Sequence, residues 1–307
     1  MTATIFIDGE AGTTGLQIRD KLAALKGVSL RSLPADERKD KEAKLRLMTE
    51  VDVVILCLPD EAAKEAAALI DGLGDKGPRV IDASSAHRVA PGWTYGFAEL
   101  IAGQGEAIAK ARKVTNPGCH ATGALALLRP LTDAGLIAKD AAVTIQSVSG
   151  YSGGGKAMIE AYESGRAPAF ELYGLALEHK HMPEIQLYSG LTARPLFVPS
   201  VGNFRQGMLV SVPLRLDALT GKPSGADLRA TLAEHYRGQR YVSVASAEES
   251  AKALRLEPES LNGTNDLQIH VYANEARRQA VLVAKLDNLG KGASGAAVQN
   301  LELMLGI

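Results

Sequence analysis

Cysteine is almost absent from this chain of 307 residues, which has only Cys57 and Cys119. A secreted scaffold stapled by disulfides is thereby excluded, and a reducing compartment, the cytoplasm, is expected. Long apolar runs are lacking as well. The longest, residues 53–58, falls far short of the roughly 20 residues that cross a bilayer. The opening residues, MTATIFIDGEAG, hold no basic stretch followed by a long apolar one, so no signal peptide is expected. Charge of one sign is lacking too: 34 Lys and Arg stand against 35 Asp and Glu, a net charge of −1. That balance gives no support to a nucleic-acid or membrane partner, and the partner expected is a small-molecule substrate. There is no internal repeat and no low-complexity tract. What remains, 46% apolar and 22% charged, is the composition of an ordinary globular protein. At about 150 residues per domain, two domains are expected.

Residues 4–8 (TIFID) read as a short strand that opens into Gly9, Gly12 and Gly15. Leu16, Ile18, Leu22 and Leu25 follow at helical spacing. Residues 28–33 read as a second strand. Residues 51–58 (VDVVILCL) form a continuous apolar run stopped by Pro59, the pattern of a strand buried on both faces of a parallel sheet. An Ala-rich helix is expected over 61–73 and another strand over 79–83. Strands alternating with helices predict an α/β, Rossmann-type doubly wound domain. Near residue 115 the character changes. Strands expected over 142–148, 209–216, 267–273 and 280–285 predict an α+β domain with a mixed or antiparallel sheet. Residues 217–227 read as a surface turn and 245–265 as polar and weakly helical.

The glycines at 9, 12 and 15 lie at the first strand–helix junction. Glycine there lets the backbone turn tightly and approach a pyrophosphate, to which the helix N-terminus offers N–H groups. A fold selective for NAD places Asp or Glu at the end of the second strand. Here that place reads Leu30-Arg31-Ser32-Leu33-Pro34, and no carboxylate comes before Asp36. Arg31 and Ser32, helped by Arg38 or Lys39, suit a 2′-phosphate, so NADP is the expected cofactor. A second glycine cluster, Ser149 to Lys156 (SGYSGGGK), is a ready anion nest for phosphate or the nicotinamide end.

Residues 116–119 read Asn-Pro-Gly-Cys and run into HATGALALL. Asn116 is a good N-cap residue and Pro117 suits the first helical position, which puts Cys119 in the first turn of a buried helix. A free thiol of pKa about 8.5 is only ~3% ionised at neutral pH. A helix N-terminus supplies at most ~2 kcal/mol toward the thiolate, so a base or cation should supply the rest. Cys57, inside an apolar strand, fits a small buried hydrophobe. The base is sought in Glu178-His-Lys-His-Met-Pro-Glu-Ile185, where Pro183 starts a helix with His181 at its mouth beside Glu184. His179 and His181 lack a third ligand at metal-binding spacing, so no metal is expected. His235 and His270 read as structural; His87 and His120 stay open.

Taken together these pieces resemble the N-acetyl-γ-glutamyl-phosphate reductases, in their shorter form, which are related to the aspartate-semialdehyde dehydrogenases. The residues that carry the resemblance are the glycine loop, Asp82-Ala-Ser-Ser85-Ala-His-Arg88, Tyr95-Gly96, Asn116-Pro-Gly-Cys119, Ser149 to Lys156, His179-Lys-His-Met-Pro-Glu-Ile185, Phe204-Arg205-Gln-Gly207, and Asp287-Asn-Leu-Gly-Lys-Gly-Ala-Ser-Gly295 through Val298-Gln-Asn300. Three places depart from the family pattern. His120 stands where an aromatic is common, Phe97-Ala98-Glu99 replaces Leu-Pro-Glu, and Gly153-Gly-Gly-Lys156 replaces Gly-Ala-Gly-Arg.

The resemblance implies a dinucleotide-binding domain over 1–118 and 287–307 and a catalytic and oligomerisation domain over 119–286. It further implies a homodimer or homotetramer. In the implied reaction Cys119 forms a thioester with an acyl phosphate, NADPH reduces it, and His181 or His179 serves as acid and base. Gly9, Gly12, Thr13, Thr14, Gly15, Arg31, Ser32, Ser152, Gly153, Gly154 and Asn288 are the expected cofactor residues. Ser85, Arg88, Asn116, Ser149 and Arg205 are the expected substrate residues, the arginines because a guanidinium pairs two-pronged with carboxylate or phosphate. The rival readings are a reductase of aspartyl or aminoadipyl phosphate and an inactive NADP-binding protein.

Overall fold

A computed structural model of the chain describes residues 2–307. The chain divides into two compact units. One holds the residues up to Ala98 together with Ala102–Pro117 and Ala293–Ile307; the other holds Glu99–Ile101 and Gly118–Gly292.

The first unit alternates strand and helix: β1 (Ala3–Asp8), α1 (Thr13–Ala23), β2 (Val28–Arg31), α2 (Lys41–Met48), β3 (Val53–Leu56), α3 (Asp60–Gly72), β4 (Arg79–Asp82), β5 (Thr94–Tyr95), α4 (Gln104–Lys110) and β6 (Lys113–Thr115). The strands make one parallel sheet in the order β2-β1-β3-β4-β6-β5. The period of two in a strand sends side chains to opposite faces. Ile5, Ile7, Val53 and Ile55 meet Ile18 and Leu22 of α1 and Ile108 of α4 on one face. Phe6, Val54 and Leu56 meet Leu47 and Met48 of α2 and Ala63, Ala67 and Ile70 of α3 on the other. β1 has β2 on one side and β3 on the other, so the winding reverses at β1. A crevice opens at such a reversal, beyond the carboxyl ends of the strands, where the Gly9 loop leaves β1.

The second unit comprises α5 (Cys119–Asp133), β7 (Thr144–Gly150), α6 (Gly155–Glu163), β8 (Phe170–Leu172), α7 (Met182–Ser189), β9 (Leu196–Gly202), β10 (Met208–Arg215), α8 (Gly225–His235), β11 (Val242–Val244), α9 (Ala247–Lys252), β12 (Leu267–Asn274) and β13 (Gln279–Leu286). Its mixed sheet runs β11-β12-β13-β10-β7-β9-β8. β7 and β9 are parallel, and β10, β12 and β13 form an antiparallel run. The four strands expected here appear as β7, β10, β12 and β13, with ends displaced by a residue or two. β9 went unread because Pro199 interrupts its pattern. In the fold Pro199 precedes the stretch Ser200–Gly202 that bonds to β8, so its missing N–H costs no ladder bond on that side. Expected weak helicity over 245–265 reduces to the short α9.

After β13 the chain makes one π-helical turn, Gly290–Ser294, and then α10 (Gly295–Leu305). Ala297, Leu301 and Met304 of α10 complete the first apolar cluster of the first unit.

α5 is buried almost throughout, from His120 to Thr132. Such depth needs small residues where the helix lies on the sheet. A Cβ at Gly123 would stand 2.5 Å from Val210 Cγ2 and 2.9 Å from Val210 Cβ. Alanine is worth about 1 kcal/mol over glycine in a helix, but overpacking a tight core costs typically 1–3 kcal/mol. Gly123→Ala should therefore lower the melting temperature by several degrees in a calorimetric scan. A higher melting temperature would show that α5 does not press on β10 this closely.

Candidate active site

Cys119 is the first residue of α5, and the extended Gly118 (φ −78°, ψ 148°) caps it. This corrects the expectation that Asn116 is the cap and Pro117 the first helical residue. Asn116 is held elsewhere. Its Nδ2 donates to the Ala293 carbonyl at 2.9 Å, and its Oδ1 accepts from Asn300 Nδ2 at 3.1 Å. Its carbonyl accepts from Arg88 Nε at 3.1 Å. Arg88, an expected substrate ligand, is thus buried and braces the turn before the cysteine.

The amide of Gly118 donates instead to Glu184 Oε2, at 3.1 Å. Glu184 lies in the first turn of α7, whose cap is His181 and whose early turn contains Pro183, as expected. The His181 amide in turn donates to His179 Nδ1 at 3.1 Å. On the far side of the cysteine, the His120 ring lies 5.5 Å from both His179 and His181. The segment from His179 to Glu184 therefore grips the chain immediately before and after Cys119.

His120 is fixed at both nitrogens. Ser147 Oγ lies 2.8 Å from Nδ1, and Tyr173 Oη lies 2.8 Å from Nε2. Burial, followed by the charges of His179 and Lys180, pushes its pKa down to about 3. The ring is therefore neutral, with one nitrogen donating and the other accepting. Burial, with Cys119 close by, pushes the Tyr173 hydroxyl well up, so it keeps its proton. Ser147 and Tyr173 carried no signal in the sequence. The turn Gly290–Ser294 also lies on the cysteine: a Cβ at Gly292 would stand 2.7 Å from Cys119 Cβ. Next to it Lys291 Nζ meets Glu99 Oε2 at 2.7 Å, both side chains being 2% exposed.

The first glycine loop fits a dinucleotide. Gly9 has φ +90°, and a Cβ there would run into the Cys57 carbonyl. A Cβ at Gly15 would stand 2.6 Å from the Gly9 carbonyl, so strand, loop and helix touch at backbone distance. α1 starts at Thr13 and Thr14 behind Gly12, and no side chain caps it. Such a helix mouth suits a pyrophosphate. The residues expected at the 2′-phosphate have other partners. Arg31 pairs with Glu50 at 2.9 Å on the surface. Ser32 Oγ donates to Glu10 Oε2 at 2.8 Å, and Arg38 pairs with Glu10 Oε1 at 2.6 Å.

The second glycine cluster forms a tight turn, Tyr151–Gly154, closed by Asn288. Asn288 Nδ2 donates to Ser152 Oγ at 3.0 Å, and its Oδ1 accepts from the Gly207 amide at 2.7 Å. Gly153 is close: its Cβ would lie 3.1 Å from Ser149 Oγ. Four expected site residues are so brought together, while Gly154 is filled by Met158. Ser85 donates to Asp60, and the exposed Arg205 pairs with Glu163. His87 is a structural residue, 2.6 Å from Asp82 Oδ2 and stacked on Trp93. Among the described residues, no three His, Cys, Asp or Glu side chains cluster as metal ligands would.

Residues 13–111 match the model of the semialdehyde dehydrogenase NAD binding domain, and residues 119–288 match that of the semialdehyde dehydrogenase dimerisation domain. The chain is 52% identical to N-acetyl-gamma-glutamyl-phosphate reductase 2 of Pseudomonas putida, over 99% of this chain and 97% of that protein. It is 53% identical to N-acetyl-gamma-glutamyl-phosphate reductase of Brucella ovis, over 100% of each. The chain belongs to the N-acetyl-γ-glutamyl-phosphate reductase family of semialdehyde dehydrogenases. Its fold is that of aspartate semialdehyde dehydrogenase II from Vibrio cholerae, at TM-score 0.75 and 17% identity over 100% of this chain and 99% of that one. Aspartate semialdehyde dehydrogenase from Candida albicans is similar at TM-score 0.69 and 14% identity, over 100% of both chains. The first unit accordingly carries the family's nicotinamide-cofactor domain, and the chain is an oxidoreductase of the aldehyde group.

Two measurements follow from this geometry. Burial, with Asp82 and Asp8 nearby, pushes the Cys57 thiol up to about 12, which leaves it unreactive near neutrality. Iodoacetamide should therefore modify Cys119 far faster than Cys57, as peptide mass mapping would reveal. Faster labelling of Cys57 would remove Cys119 from the chemistry. The second concerns His120, neutral in the folded chain down to about 3 but protonated near 6.5 when unfolded. Between those values the unfolded chain binds more protons, so stability drains away as pH falls below 6.5, by up to about 1.4 kcal/mol per pH unit. His120→Phe should flatten the decline of the melting temperature between pH 6.5 and 4. An unchanged slope would place the acid-sensitive group elsewhere.

Proposed function

We propose that the chain reduces N-acetyl-γ-glutamyl phosphate to N-acetyl-L-glutamate 5-semialdehyde with NADPH, releasing phosphate, as a cytoplasmic step of arginine biosynthesis. The observation that carries this reading is the grip of the His179–Glu184 segment on both sides of Cys119, in a chain that matches reductases of this name from end to end. The dimerisation-domain match supports a homodimer or homotetramer as the working form.

In the proposed reaction His181, with His179 as the alternative, takes the thiol proton of Cys119. The thiolate attacks the acyl carbon. A C–S bond forms, the C–O bond to phosphate breaks, and the imidazolium returns its proton to the departing phosphate. A nicotinamide held by the proposed cofactor residues would supply the hydride, and the Cys119 thioester carbonyl would become a thiohemiacetal oxyanion. That oxygen then re-forms a carbonyl as the C–S bond breaks, which frees the aldehyde and leaves sulfur as thiolate. The Tyr173 hydroxyl keeps its proton close to Cys119 and suits the role of a donor to the charged oxygen. Arg88 acts by holding the turn through Asn116, whereas Arg205, Ser85 and Ser149 remain proposed contacts for the substrate's charged ends. The Gly9–Gly15 loop and the Ser152–Gly154 turn with Asn288 are the proposed cofactor contacts.

The test is the reverse assay, phosphate-dependent reduction of NADP with N-acetylglutamate semialdehyde. The wild type should turn over, and Cys119→Ser should lose at least about a thousandfold in kcat/KM, with NADP binding by fluorescence titration nearly unchanged. A Cys119→Ser enzyme at wild-type rate would end the thioester mechanism. Turnover of aspartate semialdehyde in place of the acetylglutamate compound would end the substrate assignment.

A further inference from the structure

Glu10 is a charged residue inside the glycine loop, and it is 7% exposed. A buried carboxylate is costly unless it is well bonded. Glu10 is held by the two groups best placed to hold a phosphate at the end of β2, one through a hydrogen bond and the other through an ion pair. Ser32 Oγ donates to its Oε2 at 2.8 Å, and the Arg38 guanidinium meets its Oε1 at 2.6 Å. The other cation at this strand end, Arg31, is engaged by Glu50. In a doubly wound domain the end of the second strand is where the adenosine ribose is read. A carboxylate there accepts from a 2′-hydroxyl, and a cation there binds a 2′-phosphate. The second strand brings no carboxylate of its own, but the glycine loop delivers one to the same place from the neighbouring strand end.

We propose that Glu10 sets the cofactor selectivity of this chain, its carboxylate serving as an internal anion in the seat of a 2′-phosphate. The inference rests on the proposed use of NADP and refines it. A 2′-phosphate must take Ser32 and Arg38 from Glu10, or share Arg38 with a like charge at hydrogen-bond range. Both lower affinity for the phosphorylated ribose. A plain ribose disturbs neither bond and gains an acceptor for its hydroxyl. Glu10 therefore narrows the preference for NADP over NAD that Ser32 and Arg38 would otherwise confer.

The experiment is calorimetric titration of the full chain with 2′,5′-ADP and with 5′-AMP, in wild type and in Glu10→Gln. Glu10→Gln keeps the size of the side chain and removes its charge. We expect 2′,5′-ADP to bind about tenfold tighter in the variant, with 5′-AMP unchanged or weaker. Should the variant be poorly folded in a thermal scan, Glu10→Ala serves in its place. An affinity ratio for the two ligands that does not move, or that moves toward 5′-AMP, overturns the role of Glu10. So does a failure of 2′,5′-ADP to bind either protein. The NADP reading is judged separately, by the wild type alone: a wild type that prefers 5′-AMP refutes that reading, while a ratio that still shifts in the variant sustains the selectivity role.

Discussion

The amide of Gly118 donates to the carboxylate of Glu184, and the arrangement around the cysteine hangs on that bond. Glu184 is 1% exposed, so its charge has left water at a cost of several kcal/mol. A charge-assisted hydrogen bond recovers about 1.5–3 kcal/mol of this. The partial positive charge at the N-terminus of a 15-residue helix recovers more. The bond ties the start of α5 to the start of α7. Because α7 is capped by His181, fixing Glu184 fixes the histidines. The cysteine, the base candidates and His120 so share one rigid origin on two helix ends, rather than on loops that move independently.

Much of this was legible in the sequence. The apolar run over 51–58 reads as a strand covered on both faces, which the fold shows over Val53–Leu56, and the glycines after β1 read as a close turn into a helix. Cysteine after Asn-Pro-Gly, and histidines before Pro-Glu, named both halves of the candidate site. The misreadings have a common cause in distant partners. Asn116 has the local chemistry of a cap, but its side chain is claimed by Asn300, 184 positions later. Glu10 draws no reading from its local sequence, and the residue that donates to its buried carboxylate, Ser32, lies 22 positions on. Tyr173 has no periodic or motif context; only the pairing of β8 with β9 delivers it to His120. Local propensity describes what a residue can do alone, and it fails where a distant side chain offers a better bond.

His120 serves two demands at once in a buried place. As an aromatic ring it keeps the edge contact with Phe197, centroids 5.4 Å apart. As an imidazole it brings two polar atoms into a buried place, each of which must be matched. Ser147 and Tyr173 match them, and the neutrality imposed by burial couples the directions of the two bonds. If Tyr173 donates to Nε2, Nδ1–H must donate to Ser147. If Ser147 donates to Nδ1, Nε2–H must donate to the tyrosine oxygen, and the tyrosine proton is released toward another acceptor. One tautomer locks Tyr173 inward; the other turns it into a donor beside the cysteine.

Glu184 and Glu10 also answer a shared problem. Backbone amides at a helix start, a serine hydroxyl and a guanidinium are donors that a binding site for anions has to keep in place when no anion is bound. Left unmatched, buried donors cost free energy and invite the loops to rearrange. A carboxylate built into the neighbouring element satisfies them and holds the geometry. The same carboxylate then opposes any incoming phosphate that wants those donors, and the opposition grows as water leaves. Preorganisation and anion affinity therefore pull against each other at both places. At Glu184 the donor is a cap amide that the helix needs bonded at all times, so permanence is the gain. At Glu10 the donors are side chains, and one of them, Arg38, is 41% exposed and held otherwise only by a long bond from Nε to the Leu33 carbonyl. An exchange of partners is thus cheap at the glycine loop and expensive at the cysteine helix, which makes the loop the adjustable anion seat and the helix mouth the fixed one.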